Sequence, residues 1–162
     1  MSSSRSTPPA KSGVAFLLAQ VGAHAAARFA ERLEAFKLTP AQAGILRVIR
    51  NEHGISQQKL AKLLGMFPSR LVLVLDEMER AGLLERKASA TDRRTYALQL
   101  TTRGKDSLER IGQVVREHQD TLCAALNPAE RETLAGLLSK IANEQGLTPG
   151  VHPGYRHLGR DD

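Results

Sequence analysis

The segment that most constrains the fold of this chain is residues 95–101, where apolar and polar side chains alternate. Such alternation is typical of a β-strand with one face against a core. A charged tip, Asp92-Arg93-Arg94, precedes it, and a shorter candidate strand, Leu83-Leu84-Glu85-Arg86-Lys87, lies upstream. Together they predict a β-hairpin with a basic tip. The side chains expected on one face of the second strand are Tyr96, Leu98 and Leu100.

Three helices are predicted just before this hairpin. Thr39 is a candidate N-cap, Pro40 suits the first helical position, and Gln42 completes a capping box. A second helix is expected to begin at Ser56. A break at residues 65–68 separates it from a third helix, because proline disfavours helical geometry in the residue before it. Two helices joined by a tight turn and followed by a hairpin predict a winged helix-turn-helix.

Long amphipathic helices are predicted on both sides of this module. The winged helix-turn-helix occupies residues 39–101, and the flanking helices occupy residues 13–38 and 102–146. The flanking helices are too apolar to stand alone beside a compact module, so a second copy of the chain is expected to cover them. The predicted fold class is mainly α (α+β), a winged helix-turn-helix with long N- and C-terminal dimerisation helices.

The two ends of the chain are predicted to be tails. Residues 1–12 lack the apolar segment of a secretory signal, and residues 147–162 are rich in Pro and Gly and are expected to be irregular. No apolar run reaches the roughly 18 residues needed to span a bilayer, so no membrane partner is expected. The single cysteine, Cys123, excludes a disulfide within the chain and suits a reducing compartment. A cytoplasmic protein is therefore expected.

The charge balance points to an anionic partner. The chain has 23 Lys and Arg against 17 Asp and Glu, a formal net charge of +6. This excess favours nucleic acid, with an anionic membrane surface or simple solubilisation as alternatives. The sequence contains no Gly-Xaa-Ser-Xaa-Gly elbow, Gly-rich phosphate loop or cluster with zinc-ligand spacing. We therefore expect neither catalysis nor a metal or other cofactor.

The predicted architecture indicates which side chains meet DNA. The second helix of a helix-turn-helix lies in the major groove with its N-terminal residues against the base edges, which here are Ser69, Arg70 and Leu73. Arg86 and Lys87 are expected at phosphates, which position a protein without conveying sequence. A homodimer presents two such helices to double-stranded DNA, at half-sites roughly 34–36 Å apart.

The residues around the hairpin resemble those of the MarR family of bacterial transcription regulators. The resemblance rests on Asp92-x-Arg94 followed after five residues by Leu100-Thr101, and on the run Met78-Glu79-Arg80-Ala81-Gly82-Leu83-Leu84. It extends over about residues 13–146. It implies a dimeric winged helix-turn-helix that binds a near-palindromic operator, typically represses a neighbouring gene, and is released by a small, often aromatic, molecule or by oxidation.

The resemblance also implies roles for the wing tip. Arg94 is expected in the minor groove, and Asp92 is expected to brace the tip by pairing with an arginine. Arg93 is expected at the DNA backbone or as a second groove arginine. Narrow A·T-rich grooves carry an enhanced negative potential, so the wing is expected to prefer them.

The recognition helix departs from the family pattern, because residues 71–75 are apolar throughout. One interpretation is that Val72 or Leu73 contacts thymine methyl groups. The other, which we favour, is that this helix makes fewer polar base contacts. Selectivity then depends more on Ser69, Arg70 and the wing.

The resemblance implies an effector pocket between the dimerisation helices and the winged module. His24 and Arg28 lie four residues apart on one helix face, and with His118 they are candidates to hold an aromatic carboxylate. The alternative is that they are interface histidines and a surface arginine. Cys123 has no adjacent Lys or Arg in sequence, so an inert thiol is expected rather than a redox sensor.

A winged helix that serves as a protein-interaction scaffold is the alternative function, because a fold does not determine function. A neutral or acidic recognition face would favour it. The face predicted here is basic, and its cations are Arg70, Arg86, Lys87, Arg93 and Arg94. The main prediction is therefore a DNA-binding regulator.

Overall fold

The computed structural model of the protein describes residues 12–88, 96–152 and 154–155. Its helices are α1 (Val14–Glu34), α2 (Pro40–Asn51), α3 (Gln57–Leu64), α4 (Pro68–Arg80), α5 (Thr102–Leu122) and α6 (Pro128–Glu144). The two strands, β1 (Leu84–Ala88) and β2 (Tyr96–Leu100), form an antiparallel sheet between α4 and α5. This mainly helical architecture with a small hairpin confirms the predicted fold class.

The core lies between the three central helices and the hairpin. Its fully buried side chains are aliphatic apart from one methionine, as expected for a chain with few aromatic residues. They are Leu33, Ile45, Leu46, Leu60, Leu64, Leu71, Leu75, Met78, Leu84 and Leu98. Because every one of α2, α3, α4, β1 and β2 contributes to this list, the winged module forms a single packed unit.

The capping box predicted at the start of α2 is present, and a second one begins α6. The Thr39 side chain accepts a hydrogen bond from the Gln42 backbone N–H, and the Gln42 side chain accepts one from the Thr39 N–H. Asn127 and Glu130 make the same reciprocal pair at the start of α6. Each box satisfies backbone donors that a helix start otherwise leaves unpaired, and this determines where α2 and α6 begin.

The hairpin is braced by the link between α2 and α3. Leu84 pairs with Leu100 and Ala88 with Tyr96, and the Leu98 N–H donates to the Ile55 carbonyl at 2.9 Å. Both Ala97 and Leu98 are consequently buried, whereas Tyr96 is 62% exposed. Alternation predicted one face shared by Tyr96, Leu98 and Leu100. Burial depends instead on distance from the core, because Tyr96 lies at the outer end of the strand.

Within residues 102–146, predicted as flanking helices, the first helix, α5, ends at Leu122. The Leu126 N–H donates to the Cys123 carbonyl in a turn, and Asn127 is extended, with φ −73° and ψ 169°. Proline at position 128 disfavours helical geometry in Asn127, so the chain must leave the helix before α6 begins.

The flanking helices leave much apolar surface uncovered. α1 packs against α5, yet Leu33 is the only buried side chain of α1, and α6 buries none. None of the helices in the described parts of the chain is both long and apolar enough to cross a membrane. The exposed apolar side chains on these helices are Val14, Phe16, Leu17, Leu18, Val21, Val115, Leu122, Leu134, Leu137, Leu138 and Ile141.

Candidate DNA-binding surface

The helix-turn-helix turn is built from Gly65, Met66 and Phe67. Gly65 ends α3 in the left-handed conformation, with φ 65°, and the buried Met66 returns its N–H to the Ala61 carbonyl. Pro68 then begins α4, where its missing N–H costs nothing. The turn brings the N-terminal end of α4 to the surface of the module.

The apolar run in α4 is divided between the core and the surface. Leu71, Leu75 and Met78 are fully buried, at the spacing of one helix face. Leu73 is 55% exposed, and Ser69 and Arg70 are exposed one turn or less before it. Val72, which was considered together with Leu73 for contact with thymine, is half-buried. The outward face of the first two turns of α4 thus combines one hydroxyl, one guanidinium and one apolar side chain.

Arg86 does not face outward. Its guanidinium pairs with Asp76 at 2.7 Å and also with Glu79, both on α4. The Arg86 backbone N–H donates to the Glu79 carboxylate at 3.1 Å, and the Arg86 side chain is only 19% exposed. Bidentate and charge-assisted contacts of this kind fix geometry. Arg86 therefore joins β1 to α4, and these ion pairs occupy the guanidinium that we expected at a phosphate.

Lys87, the next residue, points to solvent. Its side chain is 55% exposed and makes a surface pair with Glu85 at 2.8 Å. Exposed pairs contribute little to stability, so the lysine can exchange Glu85 for a phosphate at small cost. Asp92, Arg93 and Arg94 lie outside the described residues, and their roles at the wing tip stay predictions.

The effector candidates are only partly brought together. His118 on α5 is half-buried with its ring 5.6 Å from that of Phe29. Burial lowers the pKa of His118, and the charges of Arg32 and His24 lower this pKa further. Arg28, by contrast, is exposed and pairs with Glu31 at 2.7 Å.

Arg32 is a residue that the sequence reasoning missed. It donates to the Thr121 hydroxyl at 3.2 Å and approaches Glu117 at 3.9 Å, so it bridges α1 and α5 beside His118. A helical signal existed, because Arg32 lies two turns after His24 and one turn after Arg28.

Cys123 is the C-cap of α5 and is half-buried. Its carbonyl oxygen, not its thiol, accepts a hydrogen bond from Arg131 at 3.1 Å. Among the residues that the structure describes, no group of three His, Cys, Asp or Glu side chains is arranged to hold a metal ion.

Comparison with known proteins relates this chain to a family of regulators. The MarR family model matches residues 38–96, which run from just before α2 to the first residue of β2. A curated protein of Thauera aromatica, named as a transcriptional regulatory protein for the hcr operon, is 40% identical over 112 residues. This match spans 69% of the present chain and 68% of the relative.

Solved structures that are similar to this chain include complexes with DNA. One is a cysteine-to-serine mutant of MarR from E. coli complexed with operator DNA, with a TM-score of 0.69 and 29% identity over 79% of this chain and 92% of that one. Another is the transcriptional repressor CouR bound to a 23-mer duplex, with a TM-score of 0.72 and 30% identity over 80% and 92% of the two chains.

Proposed function

Because this chain belongs to the MarR family of winged helix-turn-helix transcriptional regulators, we propose that it is a repressor that binds a near-palindromic operator as a homodimer. Members of this family are regulators and not enzymes. We expect the protein to act in the cytoplasm, because the bacterial DNA lies there. The finer features of the proposal concern the recognition helix, the wing, the dimer and the effector.

The observation that carries the proposal is the outward face of α4. Leu71, Leu75 and Met78 anchor the helix in the core, so Ser69, Arg70 and Leu73 are held at the surface on a rigid element. In a major groove Arg70 can donate two hydrogen bonds to guanine, and Leu73 can contact a thymine methyl group. The N-terminus of α4 has no side-chain cap, and its partial positive charge favours a nearby phosphate.

The wing supplies the second part of the proposed grip. Its strands are fixed to α4 through Arg86, which supports a wing of defined direction. We assign Lys87 to a phosphate, Arg94 to the minor groove, Arg93 to the backbone or groove, and Asp92 to bracing the tip. A cation in a narrow A·T-rich groove adds selectivity by shape rather than by base edges.

The homodimer is supported by the uncovered apolar side chains of α1, α5 and α6. Exposed apolar surface on this scale is typical of interaction sites, and a twofold partner would bring the same helices of a second copy against these side chains. A symmetric pair of recognition helices explains why the operator should be near-palindromic.

The effector site is proposed beside His118, between α1 and α5. A half-buried imidazole whose pKa is lowered, next to Arg32 and His24, suits an aromatic acid that stacks on Phe29. Arg28 joins this site only if it leaves Glu31. A small acid that releases the wild-type protein from DNA should release a His118→Ala variant poorly, and equal release would remove His118 from the site.

The proposal is tested by DNA affinity measured against salt concentration, with the DNA recovered by selection from random sequence. Roughly 6–10 phosphate contacts predict a loss of about 10³–10⁵ in affinity between 50 and 200 mM salt. Arg70→Ala should weaken specific binding by about 1–3 kcal/mol and relax selectivity at one base pair. Lys140→Ala removes the same charge from α6 and serves as the matched control.

Equal affinities for the Arg70→Ala and Lys140→Ala variants would contradict the role of Arg70. A DNA affinity that does not change with salt concentration would contradict the proposed DNA-binding function. In that case the winged module would be better explained as a protein-interaction scaffold. No contact of the described residues favours that second function at present, because the exposed end of α4 carries a cation and no carboxylate.

A further inference from the structure

The chain after α6 turns back onto the DNA-binding module. Gly146 adopts φ 65° and redirects the chain, and the Arg47 guanidinium on α2 donates to the Gly150 carbonyl. Val151 is partly buried against the core. Residues 147–152 are irregular, as predicted for this tail, yet they are attached to α2.

Tyr155 is the buried side chain by which this returning segment contacts α2. Its side chain is only 6% exposed, and its hydroxyl donates to the Ala41 carbonyl at 3.1 Å. Burial of a tyrosine with its hydroxyl satisfied stabilises the contact through both apolar area and a hydrogen bond. The contact joins residues 114 positions apart.

Gly44 forms the notch that receives Tyr155. Glycine in a helix interior costs roughly 1 kcal/mol relative to alanine, and Gly44 lies in the middle of α2. A Cβ atom added there would overlap the Tyr155 hydroxyl oxygen and lie 2.9 Å from its Cζ. The missing side chain of Gly44 thus has a packing reason, which is an observation independent of the Tyr155 hydrogen bond.

A cavity of about 400 Å³ separates this docked segment from the recognition helix. His152, Gly154 and Tyr155 line one side, and Arg70, Val74 and Glu77 of α4 line the other. The first turn of α2, from Thr39 to Gln42, completes the wall. The returning segment therefore faces the same helix whose Arg70 we assign to DNA.

We propose that residues 147–152, Gly154 and Tyr155 form a latch that docks in the Gly44 notch and positions α2 and the recognition helix for DNA binding. The effect of the latch on DNA binding rests on the proposed function. The docking of the latch does not depend on that function. Among the described residues, α6 buries no side chain within the protomer, so the latch is the contact that ties the segment after α6 to the module. Tyr155 is thus a positioning residue that does not itself touch DNA.

Hydrogen exchange of the free, full-length protein tests docking. Tyr155→Ala should accelerate amide exchange in α2 and in the first turns of α4 by about tenfold, a local loss of the kind expected when one packed contact opens. Tyr155→Phe keeps the ring and loses one hydrogen bond, so it should stay within about threefold of wild type. Unchanged exchange in the Tyr155→Ala protein would overturn the latch.

A double-mutant cycle tests the Gly44 notch. Gly44→Ala should displace Tyr155 and accelerate exchange, although by less than Tyr155→Ala does, because alanine stabilises the helix itself by roughly 1 kcal/mol. The double variant should be no faster than Tyr155→Ala alone, because both changes break one contact. Additive effects would show that the two residues act separately and would overturn the notch.

DNA binding tests the positioning role. On DNA selected with the wild-type protein, Tyr155→Ala and Gly44→Ala should each bind about tenfold more weakly, with Tyr155→Phe close to wild type and sedimentation unchanged. Unchanged affinity of the Tyr155→Ala dimer would overturn the positioning role. If the wild-type protein selects no DNA, the proposed function fails, while the exchange data still decide whether the latch docks.

Discussion

Tyr155 is a titratable side chain that packing removes from water. Burial raises the pKa of Tyr155 to about 12, against an opposing effect of Arg47. The ordinary tyrosine pKa is about 10. The stability that the neutral, buried side chain contributes is therefore fully present below about pH 10 and is lost as the pH rises towards 12.

A Tyr96→Phe variant makes this measurable, because the chain has two tyrosines and no tryptophan. The near-ultraviolet absorbance of tyrosinate in this variant should titrate with a midpoint of about 12, alongside circular dichroism that reports the helices. A midpoint near pH 10 with the helices intact would show that Tyr155 is exposed, and would contradict the latch.

The neighbouring residues Arg86 and Lys87 show which surroundings of a side chain can be predicted from sequence and which cannot. Both were expected at phosphates from their place in a basic hairpin. The sequence pattern could not reveal that Arg86 forms ion pairs with Asp76 and Glu79, because these contacts depend on how the hairpin packs on α4. Lys87 keeps its predicted exposure because side chains alternate along β1.

At the scale of elements, the ion pairs of Arg86 with Asp76 and Glu79, which join β1 to α4, lead to a prediction about stability. Arg86→Ala leaves two partly buried carboxylates without their partner and should lower the free energy of unfolding by about 1–3 kcal/mol. Lys87→Ala should change stability by less than about 0.5 kcal/mol and reduce the salt slope of DNA binding by about 1. Thermal unfolding and salt titrations separate the two.

The opposite pattern would be informative. An Arg86→Ala protein with wild-type stability and a reduced salt slope would mean that Arg86 contacts phosphate and that the ion pairs are incidental.

Elements governed by local rules were predictable from sequence. The capping boxes at Thr39 and Asn127, and the turn before Pro68, depend on residues within a few positions of one another, and the structure contains them. The apolar run of α4 was harder, because apolar content alone does not say which side faces the core. The 3.6-residue period of the helix identifies the side that faces the core, which carries Leu71, Leu75 and Met78.

Contacts between distant elements were not predictable in the same way. Tyr155 and Ala41 are joined only by the tertiary fold, and no local pattern marks either residue. The sole sequence trace of the latch is a glycine in the middle of α2, which a pattern search cannot distinguish from a tolerated one. The wing tip at Asp92, Arg93 and Arg94 was predicted from sequence and remains a prediction.

At the scale of the whole molecule, the proposed dimer is the feature on which the proposed recognition of a near-palindromic operator depends. Leu134, Leu137, Leu138 and Ile141 form an exposed apolar face on α6. Leu137→Glu places a charge in this face and should convert the dimer to a monomer in sedimentation, with a large loss of operator affinity, because burying an unpaired charge is costly.

Ser139→Glu is the matched control, since Ser139 lies on the opposite side of the same helix by its 100° spacing. It should leave both association and DNA binding unchanged. If Leu137→Glu also leaves the dimer intact, a different surface joins the two copies.

The central claim is that two copies of the winged module read two related half-sites in DNA. Selection of bound duplexes from random sequence by the wild-type protein tests it most directly. The expected outcome is an inverted repeat whose half-sites lie about 10–10.5 base pairs apart, or a multiple of this, with A·T-rich flanks under the wings. Recovery of unrelated, asymmetric sequences, or no enrichment at all, would contradict it.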